Sequence, residues 1–108
     1  MNDIHIRSTI GGKVYDTATA TRVVVVKDNC HHVREYDDER TGLYLTEKGQ
    51  WFIAGEGGGF TRWGTDPGRG ADRQRGEGIK LLTPAEAQHL LEEVDGGLVE
   101  AFFEVEDG

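Results

Sequence analysis

Leu43-Tyr44-Leu45-Thr46 and Gln50-Trp51-Phe52-Ile53-Ala54 flank the tripeptide Glu47-Lys48-Gly49. This pattern predicts a β-hairpin whose turn uses glycine for a positive φ. Side chains alternate across a strand, so Leu43, Leu45, Trp51 and Ile53 share one face while Tyr44 and Phe52 take the other. Large apolar groups on both faces cannot all be left in water. The second face must therefore be at least partly covered.

Other strands are expected around this hairpin. Ile4-His5-Ile6 alternates and leads into a Gly11-Gly12 turn. Asp16 ahead of Thr17-Ala18-Thr19-Ala20 suits the cap of a short helical turn, which passes into a strand at Arg22–Lys27. The run Val23-Val24-Val25-Val26 lacks polar alternation and predicts a central or doubly buried strand. Val33–Tyr36 reads as a returning strand, 37–42 as a polar connection, and Ile79–Leu82 as a further strand.

Residues 55–78 hold nine glycines in 24 positions and read as one long loop, which in a compact domain is functional or disordered. Gly55–Phe60 is expected to continue the preceding strand in an ordered way. Phe60 and Trp63 would fold back onto the sheet, and Pro67–Gly76 would be mobile or gain order from a partner. Beyond the loop, Thr83-Pro84-Ala85-Glu86 carries a capping box with proline at the first helical position. Ala87, Leu90, Leu91 and Val94 follow as one apolar stripe, and Asp95-Gly96-Gly97 stops the helix. Leu98–Val105 predicts a second short helix. Strands first and helices last give an α+β fold in one domain, 1–108: an antiparallel sheet of about four to five strands with two C-terminal helices packed on it.

The 36% hydrophobic fraction supports one modest core. The single cysteine, Cys30, excludes an internal disulfide and suits a reducing cytoplasm. The N-terminus lacks the pattern of a signal peptide, and no apolar run approaches the ~20 residues of a membrane span. A net charge of −8 argues against direct binding to nucleic acid or anionic membrane. That charge is unevenly placed. Residues 1–80 contain twelve acidic and twelve basic side chains, so the whole excess lies in 81–108, which has no Lys or Arg. The acidic helical part, 83–106, is either a solvated face or a surface for a basic partner.

Catalytic and cofactor readings find little support. The glycines at 55–59 are followed by Phe60-Thr61-Arg62-Trp63, not by the helix start that a phosphate loop requires. Cys30, His31 and His32 are adjacent, so at most two could share one ion, and His5 and His89 add no metal-like spacing. The expectation is no cofactor, no metal and no enzyme. Arg62, Trp63, Arg69, Arg73 and Arg75 mix guanidinium with aromatic groups, but Glu56, Asp66, Asp72 and Glu77 cancel the charge. An exposed Arg62-Trp63 tip would suit a protein partner.

Three stretches together carry a resemblance: Val14-Tyr15-Asp16-Thr17-Ala18-Thr19-Ala20, Gly42 through Gly58, and Ile79-Lys80-Leu81-Leu82-Thr83-Pro84-Ala85-Glu86-Ala87. They resemble small uncharacterised proteins of phages, plasmids and conjugative elements that read K-Y-D-T-x-T-A, L-Y-x-T-x-x-G-x-W/Y-F-L-x-G-E-G-G and I-x-P-L-T-x-x-E-A. Such proteins often end in a short acidic helix and are not known for catalysis. The resemblance implies counter-defence, of the anti-CRISPR or anti-restriction type. The reading is a non-enzymatic inhibitor of a host defence or nucleic-acid-binding protein, with Glu86, Glu93, Glu100 and Glu104 standing where phosphates would bind. The alternative is a structural or regulatory interaction module, compatible with a homodimer, that acts through a sheet edge or the aromatic loop.

Overall fold

The computed structural model describes residues 5–28, 38–68, 70 and 73–103. Among the described residues, six strands form two antiparallel sheets. In the first, β1 (Arg7–Ile10) pairs with β2 (Lys13–Asp16). The second has the order β3 (Thr21–Asp28), β4 (Glu39–Leu45), β5 (Trp51–Gly57), β6 (Gly76–Leu82). Helix α1 (Pro84–Asp95), a 3-10 turn and the single helical turn α2 (Val99–Phe102) complete the chain. The α+β class is as expected, and in place of one sheet of about four to five strands the described residues form a four-stranded and a two-stranded sheet.

The hairpin that dominates the sequence is the centre of the larger sheet. Tyr44 lies opposite Phe52 and Leu43 opposite Ile53, and Gly49 turns at φ 87°. One face packs Leu43, Trp51, Ile53 and Leu82 against Ala87, Leu91 and Val99 of the helical layer. On the other face Tyr44, Phe52 and Ala54 pack against Ile6 and Tyr15 of the β1–β2 ribbon. Tyr44 stacks on Phe52 with centroids 5.2 Å apart, and Tyr15 meets Phe52 edge-on. The covering of both faces follows from the alternation, and two different elements provide it.

Several expectations are corrected. The first strand starts at Arg7, with His5 and Ile6 ahead of it. The capped turn expected at 17–20 is present, Ala18 N–H donating to the Asp16 carboxylate and Ala20 N–H to the Asp16 carbonyl, and strand β2 precedes it. The valine run lies in β3, the edge of the sheet. Register shifts between Arg22 and Val24 and between Val25 and Lys27 bring Val23, Val24 and Val26 to the helical core while Val25 stays exposed. Bulges of this kind twist an edge strand and break its alternation. The supposed polar connection is largely β4: Glu39 and Thr41 are buried within it.

The loop expected at 55–78 contracts to 58–75 because β5 runs to Gly57 and β6 begins at Gly76. A Thr65–Gln74 bridge pairs its limbs and ties Gln74, inside the 67–76 segment expected to be mobile, to Thr65 ahead of it. The capping box is present, with Glu86 N–H bonding to Thr83 Oγ1 and Thr83 N–H to the Glu86 carboxylate. The second helix reduces to Val99–Phe102, and only a 3-10 turn separates it from α1. Phe102 and Phe103 both pack on Trp51 there, Phe103 stacked at 5.2 Å. The strand expected at Val33–Tyr36 lies outside the described residues.

Candidate functional site

Two regions concentrate charged side chains: the acidic helical layer and the far end of the sheet, where the glycine-rich loop closes over buried carboxylates. The second begins with the register. Thr41, Gly55 and Gly78 form one row on the helical face, and Glu39, Gly57 and Gly76 the next. The four glycines leave a shelf without side chains. Trp63 lies on it: a Cβ at Gly55 would sit 2.5 Å from the indole nitrogen, and one at Gly78 would touch the six-membered ring at 3.5 Å.

Polar groups tie the loop down around that ring. Trp63 Nε1–H donates to Thr41 Oγ1 at 2.8 Å, and Thr41 donates in turn to the Glu39 carboxylate. Arg62 reaches the same Glu39 oxygen at 3.0 Å, while Arg75 pairs with Asp38. Both acidic side chains are only 4% exposed. Breaking one side of a buried pair strands a charge, so each arginine is strongly held. Arg73 donates to the carbonyls of Gly59 and Gly64, closing the turn between them. Arg40, on the opposite face, lies 3.8 Å from Glu56, and its Nε has no hydrogen-bond partner among the described residues.

The aromatic loop residues divide their roles. Trp63 folds back as expected, whereas Phe60 is 71% exposed. Of the expected exposed Arg62-Trp63 tip, Arg62 is exposed while its guanidinium pairs with Glu39, and the Trp63 ring is partly buried against the core. Nothing in local spacing separates Phe60 from Trp63. The difference is the indole N–H, which alone can reach Thr41.

In the acidic layer, Glu86, Glu92, Glu93, Asp95 and Glu100 are all exposed. Glu86 and Glu93 stand seven residues apart and share one side of α1. Glu86 is occupied in the capping box: hydrogen bonds from the Thr83 backbone and side chain hold its pKa below the ordinary 4.5, with a smaller contribution from Lys80. Glu93 accepts from His89 at 3.0 Å, and Asp95 caps the 3-10 turn through Gly97 N–H. Glu100 lies in α2. Glu93, Glu100 and also Glu92, the last not singled out by sequence, are exposed carboxylates of the helical layer. Glu104 lies outside the described residues.

An open groove of about 720 Å³ separates β2 from the β4–β5 turn. Lys13 and Lys48 line it with Asp16 and Glu47, so its charges balance. Asp16 is already engaged by His5 at 3.3 Å and by Ala18 N–H. Among the described residues no three His, Cys, Asp or Glu side chains are grouped to hold a metal. No described helix is long and apolar enough to cross a membrane. Cys30, His31 and His32 lie outside the described residues.

Compared with known proteins, the chain matches no family model, no curated protein and no solved structure. The arrangement itself must carry the functional argument.

Proposed function

We propose that this chain is a non-enzymatic mobile-element protein that binds and inhibits a host defence or nucleic-acid-binding protein, as anti-CRISPR and anti-restriction proteins do. It would act in the cytoplasm, on a basic protein surface and not on nucleic acid directly. The observation that carries this reading is the segregation of charge: the entire −8 falls after residue 80, and the described helical residues 84–102 carry exposed carboxylates. An anionic surface steers association with a cationic groove and competes with phosphate there. Glu93 and Glu100, with Glu104 beyond them, are the groups assigned to this contact. Glu86 contributes charge while committed to its cap.

Plaque assays test the proposal on hosts carrying defined CRISPR or restriction systems and on isogenic hosts without them. The wild-type chain should raise plating only where the defence is present, and the combined Glu93→Lys, Glu100→Lys, Glu104→Lys variant should lose that effect while keeping its circular dichroism. Equal protection by the reversed variant would remove the electrostatic reading.

One observation favours the alternative, a structural or regulatory interaction module of a mobile element. Phe60 is exposed on a turn held by hydrogen bonds from Gly58 N–H to the Asp38 carbonyl and from Thr61 to the Gly58 carbonyl. A rigidly presented aromatic side chain loses little entropy on docking. Under this alternative, Phe60→Ser abolishes the interaction and the glutamate reversals do not.

A further inference from the structure

We propose that Gly58–Thr65 together with Arg73–Arg75 is a strap that opens and closes as one unit over the Gly57/Gly76 end of the sheet, uncovering Asp38 and Glu39 when it opens. This stands on the geometry alone, apart from any reading of the acidic layer. The strap's fastenings converge on three residues of one short stretch, Asp38, Glu39 and Thr41. Arg75 pairs with Asp38, Gly58 N–H bonds to the Asp38 carbonyl at 2.9 Å, Arg62 pairs with Glu39, and Trp63 bonds to Thr41.

Within the strap, Thr61 and Gly64 N–H close successive turns on Gly58 and Thr61, and Thr65 and Gln74 exchange two 2.8 Å bonds. Those internal bonds survive if the whole unit lifts together. Only Trp63 joins the apolar core, so release costs one partly buried ring and a set of polar contacts that water can replace. Central strands β4 and β5 are paired on both edges and packed on both faces. Segments with few apolar contacts open below the global unfolding free energy. Closed, the strap neutralises Asp38 and Glu39; open, it presents both carboxylates and the indole to a partner.

Native-state hydrogen exchange on the full chain, followed by NMR in low urea, tests this. The Trp63 indole N–H and the Gly58 amide should exchange about a hundredfold faster than amides of Leu43 and Ile53, and with little urea dependence. Asp38→Asn should accelerate these strap probes roughly tenfold further and leave the β4–β5 amides unchanged. Arg75→Gln breaks the same contact from the more exposed side and serves if Asp38→Asn does not fold. Strap and core probes sharing one rate and one urea dependence would overturn the proposal. So would a variant that accelerates both sets equally, or strap probes exchanging as unprotected amides in the wild-type chain.

Discussion

Replacing Thr41 with valine isolates the polar link at the heart of the loop closure, because valine keeps the shape and removes only the hydroxyl. Thr41 is 1% exposed, accepts the indole N–H of Trp63 and donates to Glu39. The donation to a carboxylate is worth about 1.5–3 kcal/mol, and a neutral hydrogen bond about 0.5–1.5. Glu39 keeps Arg62, and the partly buried indole can gain a water, which limits the loss. The expected destabilisation is therefore about 2–4 kcal/mol, a large share of the ~5–15 kcal/mol typical of a domain. In urea unfolding followed by far-UV circular dichroism, with m of about 1–3 kcal/mol/M, the midpoint should fall by roughly 1–2 M. Val for exposed Thr9 should change stability by no more than ~0.5 kcal/mol. Thr41→Val and Trp63→Phe should also combine non-additively, because they remove the same bond. A Thr41→Val loss no greater than that at Thr9 would refute the linked network.

Thr83→Ala should destabilise the chain by about 1 kcal/mol through loss of the helix cap, read in the same urea titration. In the wild-type chain the Glu86 carboxyl should titrate below 4.5 by NMR, and Thr83→Ala should move it back towards that value. Because the folded-state pKa is the lower one, this contribution is complete above 4.5 and disappears as pH falls through the folded value. Gly55→Ala should cost about 2 kcal/mol or more, since its Cβ would strike the Arg40 carbonyl as well as the indole and Thr41 Oγ1; thermal melts measure it. Trypsin should cut poorly after Arg73 and Arg75 in the folded chain and faster after Arg75 in Asp38→Asn, whereas a freely mobile 67–76 segment would be cut at once in both.

The features legible in the sequence are those whose cause is local. The hairpin announces itself through alternation and a glycine turn, and α1 through a capping box followed by one apolar stripe. The valine run misleads because an uninterrupted apolar stretch is also what a bulged edge strand shows when its register shifts keep turning side chains inward. Glu39 and Thr41 hide for a different reason. Read along the chain, Asp38-Glu39-Arg40-Thr41-Gly42 is polar, and the partners that make burial tolerable are distant: Trp63 is 22 residues from Thr41 and Arg75 is 37 from Asp38. One signal was available. Glu39, Thr41, Leu43 and Leu45 continue the hairpin's two-residue period outward, opposite Gly57, Gly55, Ile53 and Trp51.

That register also explains why the loop is built as it is. At the Trp51–Leu82 end, bulky side chains rise from the helical face of the sheet and meet apolar groups of the helical layer. At the Gly57–Gly76 end the same face has Gly55, Gly57, Gly76 and Gly78 on the inner strands, with Thr41 and Glu39 beside them. Twelve helical residues span only ~18 Å, and seven strand residues span about 23 Å, so α1 alone does not cover the full length. A ring laid flat on glycine can fill the remaining depth, and its edge must satisfy Thr41 and Glu39. Tryptophan meets both requirements, with an apolar face for the shelf and an N–H for the hydroxyl. Phenylalanine meets only the first. This makes Trp63, and not Phe60, the inward residue, and it leaves Phe60 on the outside of a turn whose shape the inward ring determines.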